Sequence, residues 1–183
     1  SIVKPAHKYA LNAKIMAIPA AIDPERKFKL APDGYGLAAL LDDIVDYKPE
    51  LFIQLRDKFC EYFEQFSSVR LESTTALSRS VDSYGIWQSI AGVGKGIFFE
   101  TRAGQTVRAQ QASDGAILFL GILALAHLPD PPNLLLLEEP ENGIYPKRLG
   151  EVIRMLKDLV NRTEGVRFPQ IIMTTHSPYV LSF

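Results

Sequence analysis

Four consecutive leucines, Leu134 to Leu137, run directly into Glu138, Glu139 and Pro140. A run this apolar, entered from Pro131-Pro132-Asn133, reads as a short strand buried on both faces of a parallel sheet. Such a strand cannot bury two unpaired carboxylates without a large cost. The two acids therefore belong at its carboxyl end, in the crevice where open α/β sheets take their ligands. A magnesium-bound polyphosphate is the ligand whose chemistry asks for one acid beside a metal and another beside a water. The bland alternative is an acidic surface turn.

The residues that follow decide between these readings. Pro140-Glu141-Asn142-Gly143-Ile144-Tyr145-Pro146 is a turn-rich loop, and a helix is expected from about Lys147 to Arg162. Its inward face carries Leu149, Val152, Ile153, Leu156, Leu159 and Val160, and its outward face Glu151, Arg154, Lys157 and Asp158. Gly165 to Pro169 break the pattern. Gln170 to Thr174 then reads as a second buried strand, ending in Thr175-His176-Ser177-Pro178. Strand, crossover helix and strand make a βαβ unit. If its strands are parallel, Glu138, Glu139 and His176 emerge at one edge of the sheet. That convergence is the strongest physical argument for a site.

Upstream, Gln111-Ala112-Ser113-Asp114-Gly115 precedes a helix expected from about Ala116 to His127, apolar nearly all round and so buried. Ser113 or Asp114 is its natural N-cap. Gly115 lets another group approach the free backbone N–H groups, which favour anions. A cap and nothing more is the commoner fate of such a pair.

The first half of the chain is plainer. Residues 1 to 32 read as irregular strands and loops punctuated by prolines, with no visible chemistry. A helix is expected from Leu37 to Tyr47 and a second from Pro49. The second has an apolar face of Leu51, Phe52, Leu55, Phe59, Phe63 and Phe66, read as core. From Val69 to Val107 short β segments are expected, with turns at Gly92-Val93-Gly94-Lys95 and Ala103-Gly104-Gln105. Gly94-Lys95 resembles the end of a P-loop, but Ser89 stands where the first glycine belongs and Gly96 where a hydroxyl residue belongs.

Composition narrows the function classes. Hydrophobic residues make up 47% and charged residues 22%, an ordinary globular balance. With 20 basic and 21 acidic residues, a net charge of −1 gives no polybasic footprint for nucleic acid or membrane. Lys4, Lys8 and Lys14 form at most a light patch, better read as a solvated face. A lone Cys60 excludes an internal disulfide and fits a reducing cytoplasm. The apolar run Ala116 to Ala126 is too short to span a bilayer, and no signal peptide is expected.

Taken in order, these motifs resemble the C-terminal part of ABC-type ATPases of the RecF and SMC kind, in the AAA-labelled branch of the P-loop NTPase superfamily. Ala112 to Gly115 is similar to the ABC signature loop, Leu134 to Glu139 to Walker B with its catalytic acid, and Thr174 to Ser177 to the switch-histidine loop. Asp33-Gly34 and the two helices after it resemble the family's upstream lobe. The resemblance implies an α/β P-loop NTPase fold, with a helical and antiparallel-β lobe over 1–110 and an ATPase core over 111–183. It implies ATP and Mg2+ as cofactors. Glu138 would hold the metal, Glu139 would polarise the attacking water, and His176 would contact the γ-phosphate. Ser113, Asp114 and Gly115 would close over ATP held by a second subunit, with Asn142 and Gly143 in the loop between subunits. The expected protein is a cytoplasmic homodimer with composite ATP sites, tied through its parent to nucleic-acid processing or defence against foreign DNA.

Departures qualify this. Glu138 stands where Asp is usual, Asp114 where transporters have glycine, and Tyr145 where close relatives have histidine. No G-x-x-x-x-G-K-[ST] occurs, and no Q-loop is recognisable. The chain is therefore expected to be part of a longer ATPase, inactive alone. One alternative is a non-catalytic regulatory or dimerisation module with the same fold. Another is a metal-dependent hydrolase using Glu138, Glu139 and His176, weakened because adjacent strand residues point to opposite faces.

Overall fold

The computed structural model of the chain describes residues 7–22, 27–81, 87–129, 134–139, 141, 146–160 and 170–180. In chain order they form β1 (His7–Tyr9), α1 (Ala13–Met16), β2 (Ala20–Ala21), α2 (Leu37–Tyr47), α3 (Pro49–Tyr62), β3 (Phe66–Val81) and β4 (Trp87–Thr101). Then follow β5 (Thr106–Arg108), α4 (Asp114–Ala126), β6 (Leu134–Glu138), α5 (Pro146–Val160) and β7 (Gln170–Thr174).

The strands make two sheets. One is parallel, in the order β1-β6-β7, with Tyr9 opposite Leu137 and Glu138 opposite Thr174. The other is antiparallel, in the order β2-β4-β3, with β5 added to β4. The fold is thus α/β, and the βαβ unit expected from β6, α5 and β7 is parallel.

Helix α4 lies at the centre because its sequence leaves it no polar face: every residue from Gly115 to Ala126 is buried. Met16, wholly buried on α1, reaches Gly121 of α4 so closely that any side chain there would collide with its terminal methyl. Phe59 of α3 stacks on Phe63 and Phe66 at 5.0 and 5.8 Å between ring centres, on Phe99 of β4 at 5.2 Å, and meets Phe119 of α4 edge-on at 6.0 Å. These rings tie the antiparallel sheet to the central helix.

Several expectations need correcting. Phe63 and Phe66 are buried as read, but they lie beyond the end of α3, and Phe66 opens β3. Gly92 to Lys95 is not a turn: it lies within β4, which pairs in continuous register from Trp87 to Glu100 along β3. Gly94 there serves proximity, since a side chain on it would overlap the Ala20 carbonyl oxygen and the Ala76 side chain, where β2 pairs alongside. The turn joining β3 to β4 falls outside the described residues. Gly104, by contrast, holds a left-handed turn as read, with φ 79°.

Strand β6 is buried on one face only, through Leu135 and Leu137, and β7 is half-exposed along its length instead of buried. Helix α5 packs against β7 and α4, with Leu149, Val152, Ile153 and Leu156 buried, while Leu136 and Ile172 share the opposite strand face from Leu135 and Leu137. Val160, read as inward, is exposed at the end of α5. The side chains of Glu151, Asp158 and Leu159 lie outside the described residues. The opening stretch holds short strands as read, β1 pairing with β6 in the parallel sheet, but also the short helix α1, which was not expected.

Candidate functional site

The parallel pairing of β6 with β7 carries the ends of both strands to one edge of the sheet. Glu138 closes β6 opposite Thr174. The Glu139 backbone N–H then donates to the Thr174 carbonyl at 3.0 Å. Glu139 itself has φ 42°, a left-handed conformation that costs a residue with a side chain about 1–2 kcal/mol. That torsion removes it from strand alternation, so adjacency does not separate the two acids. Glu138 and Glu139 line one cleft of about 620 Å³, together with Ala10, Leu11, Asn12, Ala13, Lys14, Asp114 and Thr174. The premise that adjacent acids must face opposite ways fails at this position.

The Glu139 carboxylate meets His176 Nε2 at 3.1 Å. Glu138 forms an ion pair with Lys8, which β1 brings alongside, at 2.5 Å. Below this pair, Glu141 Oε1 accepts from the Thr175 hydroxyl and, at 3.2 Å, from the His176 backbone N–H. The Thr175 oxygen in turn accepts from the Ser177 N–H at 3.0 Å.

At the other side of the cleft, Ser113 caps α4, accepting from the Ala116 N–H at 3.3 Å. Asp114 lies in the first turn and lines the cleft, whereas Gly115 is buried inside the helix. Asn142 and Gly143 lie outside the described residues. Glu138, Glu139 and His176 therefore converge as read from the sequence, and Asp114 joins the two acids across one cleft.

Lys8, Asn12 and Glu141 had no visible role in the sequence. No motif marks Lys8 or Asn12, which the pairing of β1 with β6 brings beside Glu138 and into the cleft wall respectively, whereas Glu141 falls within the Glu-Glu-Pro-Glu-Asn-Gly stretch typical of the family resembled. Asn12 caps α1, accepting from the Lys14 and Ile15 N–H groups at 3.0 and 3.3 Å. Among the described residues no three His, Cys, Asp or Glu side chains are arranged to hold a metal ion. A single accessible carboxylate such as Glu138 suits magnesium, since that ion keeps waters and shares its ligands with phosphates.

Residues 15–182 match the family described as "AAA domain, putative AbiEii toxin, Type IV TA system". The chain belongs to this AAA family. The AAA domain is accordingly a nucleotide-binding ATPase type of the P-loop NTPase class.

Solved SMC head domains are similar to it. One, from Pyrococcus yayanosii, carries a coiled coil and joint, with 15% identity, a TM-score of 0.43, and coverage of 77% of this chain and 26% of that one. A second, bound to the C-winged helix domain of ScpA, has 19% identity, a TM-score of 0.46, and coverage of 79% and 43%. A third, from Pyrococcus furiosus with an extended coiled coil and the C-terminal domain of ScpA, has 15% identity, a TM-score of 0.42, and coverage of 80% and 35%. The AAA domain spans less than half the length of each of these structures. No curated protein matches the chain. Among the described residues no helix is long and apolar enough to cross a membrane.

Proposed function

We propose that the AAA domain supplies the acid, the histidine and the signature loop of an ATP-hydrolysing site whose P-loop comes from outside these 183 residues. The observation that carries this reading is the Glu139–His176 contact of 3.1 Å in direct succession to Glu138 at the cleft. Glu139 is the base that polarises the attacking water, and His176, held against it, orients that water toward the γ-phosphate. Glu138 is the carboxylate that would hold Mg2+, directly or through water, and the ion would supply positive charge to the phosphate oxygens. The protein's contribution is positioning and charge stabilisation rather than covalent chemistry.

ATP hydrolysis by the full-length protein, wild type beside Glu139→Gln, tests the assignment. Removing a general base is expected to lower turnover about 10²-fold or more while ATP still binds. Equal rates would exclude Glu139 as the base. No hydrolysis by either protein would favour the regulatory or dimerisation module, which the lack of a G-x-x-x-x-G-K-[ST] motif keeps in play.

In the same proposal two copies form composite sites, with Ser113, Asp114 and Gly115 of one closing over ATP on the other and Asn142 and Gly143 between them. A cis arrangement is the second reading, because Asp114 lines the same cleft as Glu138 and Glu139 of its own chain. Mixing Glu139→Gln protein with Ser113→Arg protein separates the two. Activity regained on mixing supports closure in trans, and none supports a site within one chain. The division into a lobe over 1–110 and a core over 111–183 belongs to this proposal, as does a cytoplasmic site of action. So does a role in DNA processing or defence. The toxin–antitoxin wording of the family description is in line with defence.

A further inference from the structure

His176 is the exposed half of the pair: its side chain is 89% accessible, against 35% for Glu139. A contact that open does not hold a histidine in one rotamer, because solvent competition and side-chain entropy offset most of its attraction. The imidazole must be aimed by its backbone. Yet β7 ends at Thr174, and the ladder bonds that would fix Thr175 to Ser177 end with it.

Glu141 takes over where the ladder stops. Its Oε1 accepts from both the Thr175 hydroxyl and the His176 backbone N–H, and Thr175 relays the order to the Ser177 N–H. Its Oε2 is buried, with no hydrogen-bond partner among the described residues. A half-satisfied buried carboxylate is a poor choice for stability, since an apolar or amide side chain avoids the desolvation cost. It is a good choice for geometry, since charge-assisted hydrogen bonds are short and directional.

We propose that Glu141 is a positioning residue: it ties the loop after β6 to the loop after β7 and so holds the His176 imidazole against Glu139. The geometric claim stands on these contacts alone, and its consequence for turnover rests on the ATPase reading.

The claim is tested on the full chain by NMR of the His176 ring, which is readily assigned because the chain has three histidines. Glu139→Gln is expected to shift the ring resonances in the wild-type background and in Glu141→Gln, which keeps an oxygen to accept both donors. In Glu141→Ala the same substitution is expected to leave them unmoved. An equal response in all three backgrounds overturns the proposal. Glu141→Gln keeps the comparison decisive if Glu141→Ala fails to fold: the proposal then requires Thr175→Val, which removes one of the two donors, to weaken the response, and an undiminished response overturns it.

Hydrolysis by the full-length protein supplies the second arm. Glu141→Ala is expected to lower kcat tenfold or more with KM for ATP within twofold, and Glu141→Gln to restore most of that loss. A change confined to KM, or no rescue by Gln, overturns the role in turnover. A wild-type protein that does not hydrolyse ATP sinks the ATPase reading alone, and the resonance comparison still decides the role of Glu141.

Discussion

A single torsion at Glu139 sets the chemistry of the cleft. With φ at 42°, the chain turns out of β6 after Glu138, and two acids that a regular strand would send to opposite faces line one cavity. Strain of this kind persists where the surroundings hold it, and here the Thr174 carbonyl does so through the Glu139 N–H. Asp43 shows a different compromise. Burial pushes its carboxyl above the ordinary value, against the Phe28 N–H donated to it at 2.8 Å and the nearby Lys27 ammonium, while Asp42 and Asp46 add to the rise. A raised native pKa means the folded state holds the proton more tightly. The stability tied to it is complete below the unfolded value near about pH 4 and is lost as pH rises through the native value. Asp43→Asn keeps an acceptor for Phe28 and has no proton to lose. Its urea midpoint is expected to equal or exceed that of wild type at pH 7, with the gap closing on acidification to about pH 4. A mutant midpoint clearly below wild type at pH 7 would contradict this.

The long hairpin of β3 and β4 illustrates how a glycine can mislead. Gly92 and Gly94 read as a turn, because glycine between apolar runs is the commonest turn signal. They sit instead in mid-strand, opposite Ala76 and Thr74. Only the arrival of β2, paired at Ala20 and Ala21, explains Gly94. That contact is non-local, so no window of sequence contains it. Gly94→Ala is expected to destabilise the protein by about 1–3 kcal/mol, because backbone and a neighbouring strand block the new methyl. Gly92→Ala has open space around it and is expected to stay within about 0.5 kcal/mol of wild type. Chemical denaturation of the two variants side by side checks both. Helices were easier to read: α2 runs from Leu37 to Tyr47 as its apolar spacing predicts, and α4 is buried all round as its composition requires.

Nearly all the buried residues among those described share one core. Phe59 is wholly buried where α3, β3, β4 and α4 meet, so residues on both sides of position 110 depend on the same packing. Phe59→Ala is expected to cost about 3–5 kcal/mol. Far-UV and near-UV circular dichroism are expected to report one coincident unfolding transition in wild type and variant. Two separated transitions would mean that 1–110 and 111–183 fold independently.

What a short stretch of residues encodes was readable from order alone: the periodicity of α2, α4 and α5, the cap at Ser113, and the paired acids and histidine at strand ends. Apolar spacing and capping act over a few residues, and strand direction follows from a crossover helix. Coverage and convergence are different in kind. That one face of β6 is buried and the other only partly so, that β1 delivers Lys8 to Glu138, and that Glu141 reaches the backbone of His176 all depend on segments far apart in sequence. Only chain packing brings those segments within hydrogen-bonding distance, and there the tertiary structure decided what the sequence left open.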